Sequence, residues 1–162
     1  MMETMGSFDQ NKQEVFDPIR KKWVALSPEE KVRQSLIAFM IEELLYPQEL
    51  LCVEKSLSEL PSHTKVSVPD RRIDILCFAK NIHPEFPLYP LLLVECKESS
   101  TLAQMAKDQV IGYNHFVKAY FLAVAYPNGV EWGYFDRKEK KYIFKSGLPT
   151  YQTLIKASVS CK

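Results

Sequence analysis

The chain has 162 residues, of which 46% are hydrophobic and 25% charged, as in an ordinary globular domain with a core of its own. Its 21 basic and 20 acidic residues give a net charge of +1, so overall charge gives no sign of nucleic-acid binding, and any such surface must be local. The 3 histidines and 4 cysteines lack the close spacing of a zinc site or disulfide scaffold, which favours a reducing, cytoplasmic location.

An N-terminal segment is predicted to precede a single domain. Residues 1–26 are expected to form an arm or an edge strand, and the domain is expected to cover 27–162. The first helix begins after Ser27, which is a good N-cap residue and is followed by Pro28, a residue suited to the first helical position. Glu30 stands three residues after the cap, which predicts a capping box.

The rest of the chain alternates between strands and helices. Three strands, a helix, three strands and a last helix are predicted, which indicates an α/β fold with a central mixed β-sheet flanked by helices. The second and third strands are unbroken apolar runs, so we expect them in the centre of the sheet. The predicted strands are 50–57, 73–79, 91–97, 119–126, 131–135 and 141–144, the helices are 102–117 and 150–157, and the loops include 61–63 and the proline-rich segment 81–90.

Ionisable side chains stand at the ends of the two central strands, where a buried charge is costly unless it is paired or bound to a metal. Asp74 opens one strand, and Glu95 and Lys97 close the next, pointing the same way because side chains alternate. The two carboxylates and the backbone carbonyl of Cys96 are oxygen ligands of the kind that Mg²⁺ prefers. Lys97 is suited to positioning a water or stabilising negative charge. The alternative is a plain ion pair at a sheet edge.

Two polar residues lie within the apolar stripe of the helix predicted at 102–117. Gln109 and Tyr113 are one turn apart on that stripe. A buried amide needs a hydrogen-bonding partner, and a position facing the Glu95–Lys97 cluster supplies one or lets the side chain reach a DNA phosphate. The alternative is a core tyrosine beside a glutamine that binds a backbone carbonyl.

Missing motifs exclude several classes of protein. The sequence holds no GxxxxGK[ST] motif, so it is not expected to be an ATP-driven motor, and no GxSxG motif of a serine hydrolase. Residues 1–10 lack the apolar core of a signal peptide, and no apolar run approaches the ~20 residues that cross a bilayer. We therefore expect a cytoplasmic protein without a membrane partner.

Taken in order, these residues resemble the PD-(D/E)xK nuclease superfamily, and more specifically the N-terminal nuclease domain of the R subunits of type I restriction enzymes. The similarity spans residues 28–118. The matching residues are Glu30 with Val32-Arg33-Gln34, Tyr46-Pro47, Arg72 with Asp74-Ile75-Leu76, Leu92-Leu93-Val94-Glu95-Cys96-Lys97, and Gln109-Val110 with Tyr113-Asn114.

The resemblance implies a restriction-endonuclease-like core and cleavage of DNA that depends on Mg²⁺, with Mn²⁺ as an alternative. It assigns Asp74 and Glu95 to the metal and Lys97 to catalysis. Gln109 and Tyr113 would support the site and contact DNA.

Two assignments keep alternatives. The resemblance places Glu30 near the metal, although a capping box explains this residue equally well. Pro69-Asp70 spells the PD of the motif, so Asp70 is a rival to Asp74; we prefer Asp74 because it leads directly into an apolar strand.

The sequence is compatible with more than one function. The chain is expected to act on DNA as a free-standing nuclease, as a homodimer, or with separate motor and specificity subunits. The alternatives are a catalytically idle nucleic-acid-binding member of the fold and a protein-interaction module whose charges form ion pairs. The nuclease hypothesis predicts that Asp74→Ala stabilises the metal-free protein by removing repulsion, and the interaction module predicts the reverse.

Overall fold

The structure is a computed structural model that describes residues 8–9, 13–60 and 70–161. The loop predicted at 61–63 lies outside the described residues. None of the helices in these ranges is long and apolar enough to span a membrane.

The described strands form two sheets. Three antiparallel strands make a small N-terminal sheet, β1 (Phe8–Asp9), β2 (Glu14–Asp17) and β3 (Lys22–Ala25). Six strands make the central sheet in the order β4 (Leu51–Ser56), β5 (Arg72–Lys80), β6 (Leu88–Cys96), β7 (Phe121–Tyr126), β8 (Gly129–Asp136) and β9 (Lys141–Ser146).

The helices flank the central sheet. They are α1 (Pro28–Glu42), α2 (Ala103–Val117) and α3 (Tyr151–Ser158), with short 3-10 helices at Gln48–Leu50, Leu57–Glu59, Ser100–Leu102 and Val159–Cys161. The pair β6–β7 is parallel, and the other pairs of the central sheet are antiparallel. Because parallel neighbours need a crossover connection, α2 links β6 to β7 across one face of the sheet. The predicted α/β fold with a mixed central sheet flanked by helices is confirmed, and β5 and β6 are interior strands as expected.

Both faces of the central sheet are buried. Leu92 and Val94 belong to the core cluster that includes α1 and α3 residues, whereas Leu93 belongs to the cluster that includes α2 residues. Successive side chains of β6 therefore enter opposite cores, which is why its sequence is an unbroken apolar run.

The largest difference from the predicted boundaries is at the start of β6. The segment 81–90 was expected to be a loop, but β6 begins at Leu88, so Pro90 lies inside a strand. Pro90 stands opposite Phe78, where the β5–β6 register shifts. A bulge is one of the few places in a sheet that accommodate a residue without an N–H.

The start of α1 agrees only in part with the predicted capping box. Ser27 Oγ accepts a hydrogen bond from the Glu30 N–H at 3.1 Å, as expected of an N-cap. The Glu30 carboxylate does not bind the backbone N–H of the cap residue, since it accepts hydrogen bonds from Arg20, Arg33 and Gln34. Burial among these donors, and not capping, explains this glutamate.

Ser27→Ala is expected to lower the free energy of unfolding by about 1 kcal/mol, because one N–H in the first turn of α1 loses its acceptor. Urea denaturation measures the change. Ser27→Asp, which keeps an acceptor at this position, should retain most of the stability. Equal stability of the alanine variant and the unsubstituted protein would mean that the cap contributes nothing.

Candidate active site

The candidate site lies where the ladder between β5 and β6 ends. Ile75 and Val94 are the last residues paired there, and Asp74 and Glu95 are the next residue on each strand. Both acids are buried, with 4% and 6% of their surface exposed. Two interior strands thus end side by side in carboxylates, which the sequence predicted from two separate apolar runs.

Asp74 is held by two donors. Its Oδ2 accepts a hydrogen bond from the Cys96 N–H at 2.7 Å. If the β5–β6 ladder continued, a backbone carbonyl of β5 would accept this bond instead. Its Oδ1 accepts one from Arg33 Nη2 at 2.5 Å. The carboxylate therefore closes the ladder on one side and forms a buried ion pair on the other.

Glu95 is less well satisfied. Lys97 Nζ lies 3.5 Å from Glu95 Oε1, whereas Glu95 Oε2 is buried without a hydrogen-bond partner. Burial, followed by the negative charge of Asp74, raises the pKa of Glu95 to about 9, although Lys97 acts in the opposite direction. Burial and the neighbouring charge of Asp74 thus disfavour the ionised form of Glu95 in the metal-free protein.

The helix α2 brings Tyr113 to the same place. Burial raises the pKa of the Tyr113 phenol, and the negative charges of Glu95 and Asp74 raise it further. Gln109 lies one turn earlier in α2, and its Oε1 is buried without a partner. Both unpartnered buried oxygens, Glu95 Oε2 and Gln109 Oε1, are acceptors that a cation or a donor would satisfy.

Arg33 is the main site residue whose position the sequence did not reveal. It is 3% exposed and donates to Glu30, to Glu54 at 2.7 Å and to Asp74. Burial opposes its charge, but Asp74, Glu30 and Glu54 outweigh burial and raise the pKa of the guanidinium above its usual value. A signal was present, because Arg33 lies three residues after Glu30 on the buried stripe of α1.

Glu54 was also missed. It lies between the pairs Val53–Ile75 and Lys55–Ile73, so it stands beside Asp74 on the neighbouring strand. Its φ of 57° is in the left-handed region, which non-glycine residues occupy at a cost of about 1–3 kcal/mol and which is enriched at functional sites. No sequence pattern predicts such a conformation.

Glu30 reaches Asp74 only through Arg33, since it binds Arg33 with one oxygen and Arg20 with the other. Asp70, the rival to Asp74, is exposed before β5. The carboxylate that is buried beside Glu95 belongs to Asp74.

The donor set fits a Mg²⁺ ion that keeps several of its waters. Among the residues that the structure describes, no group of three or more His, Cys, Asp or Glu side chains is arranged to hold a metal ion. Mg²⁺ commonly uses only one or two carboxylates, with water and substrate oxygens as its other ligands. The unpartnered Glu95 Oε2, beside a second carboxylate, is the kind of acceptor that such an ion completes.

Comparison with known proteins gives one match. A family model described as "Type I restriction enzyme R protein N terminus" matches residues 28–149, about three quarters of the chain. The matched range contains Asp74, Glu95, Lys97, Gln109 and Tyr113, and it begins at the first residue of α1. Searches of the curated proteins and of the solved structures found no match.

Proposed function

Because the chain belongs to the family of type I restriction enzyme R protein N-terminal domains, we propose that it is a Mg²⁺-dependent endonuclease of the PD-(D/E)xK superfamily that hydrolyses the phosphodiester bonds of DNA. The observation that supports this most is the buried pair Asp74–Glu95 with Lys97 beside it. Burial of two acids on interior strands is costly. Cation binding accounts for the cost of burying these two acids better than a purely structural ion pair does.

Asp74 and Glu95 would hold the metal, with the backbone carbonyl of Cys96 as a third oxygen. When bound, Mg²⁺, or Mn²⁺ in its place, supplies a polarised phosphate and a water of lowered pKa. Both Asp74 oxygens keep lone pairs free after the bonds from Arg33 and Cys96, because each carboxylate oxygen has more than one acceptor site.

Lys97 is the group of this chain best placed to act on the reacting atoms. Its ammonium lies beside Glu95 Oε1 and its side chain is 14% exposed, so it is fixed by the pair and still open to a ligand. Such a cation stabilises negative charge on the phosphate and orients an attacking water. Gln109 and Tyr113 would support this arrangement from α2 and contact DNA.

A second candidate is a catalytically idle DNA-binding member of the family. The ion pair Arg33–Asp74 favours it, because a carboxylate that already has a cationic partner does not need a metal. The partners under the leading proposal are DNA and, as in a restriction-modification system, separate motor or specificity subunits or a second copy of the chain.

Lys97→Ala is expected to lower the rate of metal-dependent plasmid cleavage by roughly 100-fold or more, since it removes a cation from the reacting phosphate. Supercoiled and linear DNA are incubated with Mg²⁺ or Mn²⁺, and with EDTA as the metal-free control. Lys80→Ala is the matched control, because Lys80 is an exposed lysine at the far end of β5.

The results separate the candidates. Cleavage that requires metal and is lost only in Lys97→Ala supports the nuclease and its site together. DNA binding without cleavage supports the idle member or an absent partner subunit. A protein that neither cleaves nor binds DNA contradicts both and leaves an interaction module.

A further inference from the structure

The N-terminal hairpin, formed by β2 and β3, exposes a pair of aromatic rings. Phe16 and Trp23 lie opposite each other in the register, with ring centroids 5.7 Å apart in an edge-to-face arrangement. Phe16 is 41% exposed and Trp23 is 50% exposed, whereas Val15 next to Phe16 is buried. Large rings grouped in solvent are characteristic of a surface that binds a partner.

The turn of this hairpin is basic. Residues 18–23 contain three cationic side chains and no acid, and Lys21 and Lys22 are exposed. Glu14 lies at the opposite end of β2, and the buried Asp17, at the turn end, pairs with Arg20, so the exposed positive charge comes from Lys21 and Lys22. Exposed rings on one face of the hairpin and exposed ammonium groups at its turn match single-stranded nucleic acid, whose bases stack on aromatic side chains while its phosphates bind cations.

The hairpin is fixed firmly to the domain. Asp17 is fully buried and accepts hydrogen bonds from the backbone N–H groups of Ile19 at 2.7 Å and Arg20 at 2.8 Å. Gln34 Nε2, on α1, donates to the same carboxylate at 2.9 Å. The turn therefore keeps one position relative to α1, and a ligand bound to the hairpin is held in a defined place.

A chain of ion pairs connects the turn to the candidate active site. Arg20 pairs with Glu30, Glu30 pairs with Arg33, and Arg33 pairs with Asp74. An open cleft of about 370 Å³ beside this network is lined by Arg20, Arg33 and four acids, Glu29, Glu30, Glu54 and Glu98. Because the acids outnumber the arginines, phosphates are expected to bind outside this cleft, at the exposed lysines of the turn.

We propose that the hairpin binds DNA next to the candidate active site, with the rings of Phe16 and Trp23 stacked on unpaired bases and Lys21 and Lys22, at the turn, bound to phosphates. This inference rests on the proposed nuclease function. The hairpin lies outside residues 28–149, so the surface belongs to a part of the chain that the family match does not cover.

The test is DNA affinity in EDTA, where cleavage does not interfere. The probe is a fluorescein-labelled oligonucleotide, used single-stranded and as a duplex, and anisotropy gives Kd. The double variant Phe16→Ala/Trp23→Ala should bind the single strand about tenfold more weakly or worse, because base–aromatic stacking is lost. Trp23→Phe, which keeps a ring, should retain most of the affinity.

Phe135→Ala is the matched control. Phe135 is also 50% exposed and also packs edge-to-face on another ring, that of Tyr142, but it lies on β8. Its replacement should leave Kd unchanged. In parallel, Lys21→Ala/Lys22→Ala should reduce the slope of log Kd against log salt by about 1–2, because about one counterion is released per phosphate contact.

The outcomes separate this inference from the function on which it rests. If the unsubstituted protein cleaves or binds DNA while the double aromatic variant binds with the same Kd, the hairpin assignment is overturned and the surface is a protein contact. If the unsubstituted protein neither binds nor cleaves DNA, the proposed function fails and the inference fails with it. Loss of affinity in the double aromatic variant but not in Phe135→Ala supports the inference.

Discussion

Asp74→Ala is expected to lower the free energy of unfolding of the metal-free protein by about 2–4 kcal/mol. The substitution leaves the Cys96 N–H without its acceptor and removes one of the four acids that pair with the buried Arg33. Glu29, Glu30 and Glu54 remain with Arg33, so the loss is smaller than for a buried charge left with no partner. Urea denaturation with EDTA present gives the value.

This sign is the reverse of the one expected for a nuclease from the sequence. Repulsion between Asp74 and Glu95 alone would make Asp74→Ala stabilising, but that expectation omitted Arg33, which is now seen to attract Asp74 at 2.5 Å. Stability therefore no longer separates a nuclease from an interaction module, and the two must be distinguished by cleavage and metal binding.

A matched control and a double variant sharpen the result. Asp70→Ala removes an exposed acid four residues earlier and should change stability by no more than about 0.5 kcal/mol. Arg33→Met alone should lower the free energy of unfolding. Arg33→Met combined with Asp74→Ala should lower it by less than the sum of the two single effects. Additive costs would show that the Arg33–Asp74 pair contributes no coupling energy.

The sequence predicted the parts of the fold that depend on local chemistry. Ser27 and Pro28 marked the start of α1, and the apolar runs of β5 and β6 marked two interior strands. It also predicted that Glu95 and Lys97 share a side of the strand, because alternation is a property of the strand alone. The pair at 3.5 Å agrees with that expectation.

The rest of the site depends on how distant elements pack. Arg33 and Asp74 are 41 positions apart, and the spacing of Glu30 and Arg33 on α1 does not indicate that the guanidinium reaches β5. The left-handed φ of Glu54 is likewise set by its surroundings, since glutamate has no preference for it. Pro90 was misassigned because a bulge, invisible in the sequence, accommodates it within β6.

Glu95→Gln is expected to make the metal-free protein more stable by about 1–3 kcal/mol at pH 8, and to remove a pH dependence that the unsubstituted protein shows. The pKa of Glu95 is about 9 in the folded state against 4.5 for an ordinary glutamate, because burial and Asp74 favour the neutral acid. Between these values the folded state binds a proton that the unfolded state has released. The contribution of Glu95 to the stability of the folded state is therefore fully present below pH 4.5 and declines as the pH rises toward 9.

The measurement is urea denaturation of both proteins from pH 6 to pH 9 with EDTA, and the quantity of interest is their difference in free energy. That difference should grow by up to about 1.4 kcal/mol per pH unit, since glutamine has no proton to lose. Glu49→Gln, at an exposed position, is the control, and its free energy of unfolding should change with pH in the same way as that of the unsubstituted protein. A difference that does not change with pH would show that Glu95 is already ionised at neutral pH.

Adding Mg²⁺ to the same experiment connects stability with the proposed cofactor. An ion that binds only the folded state raises stability by RT ln(1 + [L]/Kd), and it must displace the proton of Glu95 to bind both carboxylates. Stabilisation of the unsubstituted protein by Mg²⁺ should therefore increase from pH 6 to pH 9, and Glu95→Gln should lose most of it. Equal stabilisation of the two proteins would place the ion elsewhere, and Asp74 with Arg33 and Glu95 with Lys97 would then be two structural ion pairs.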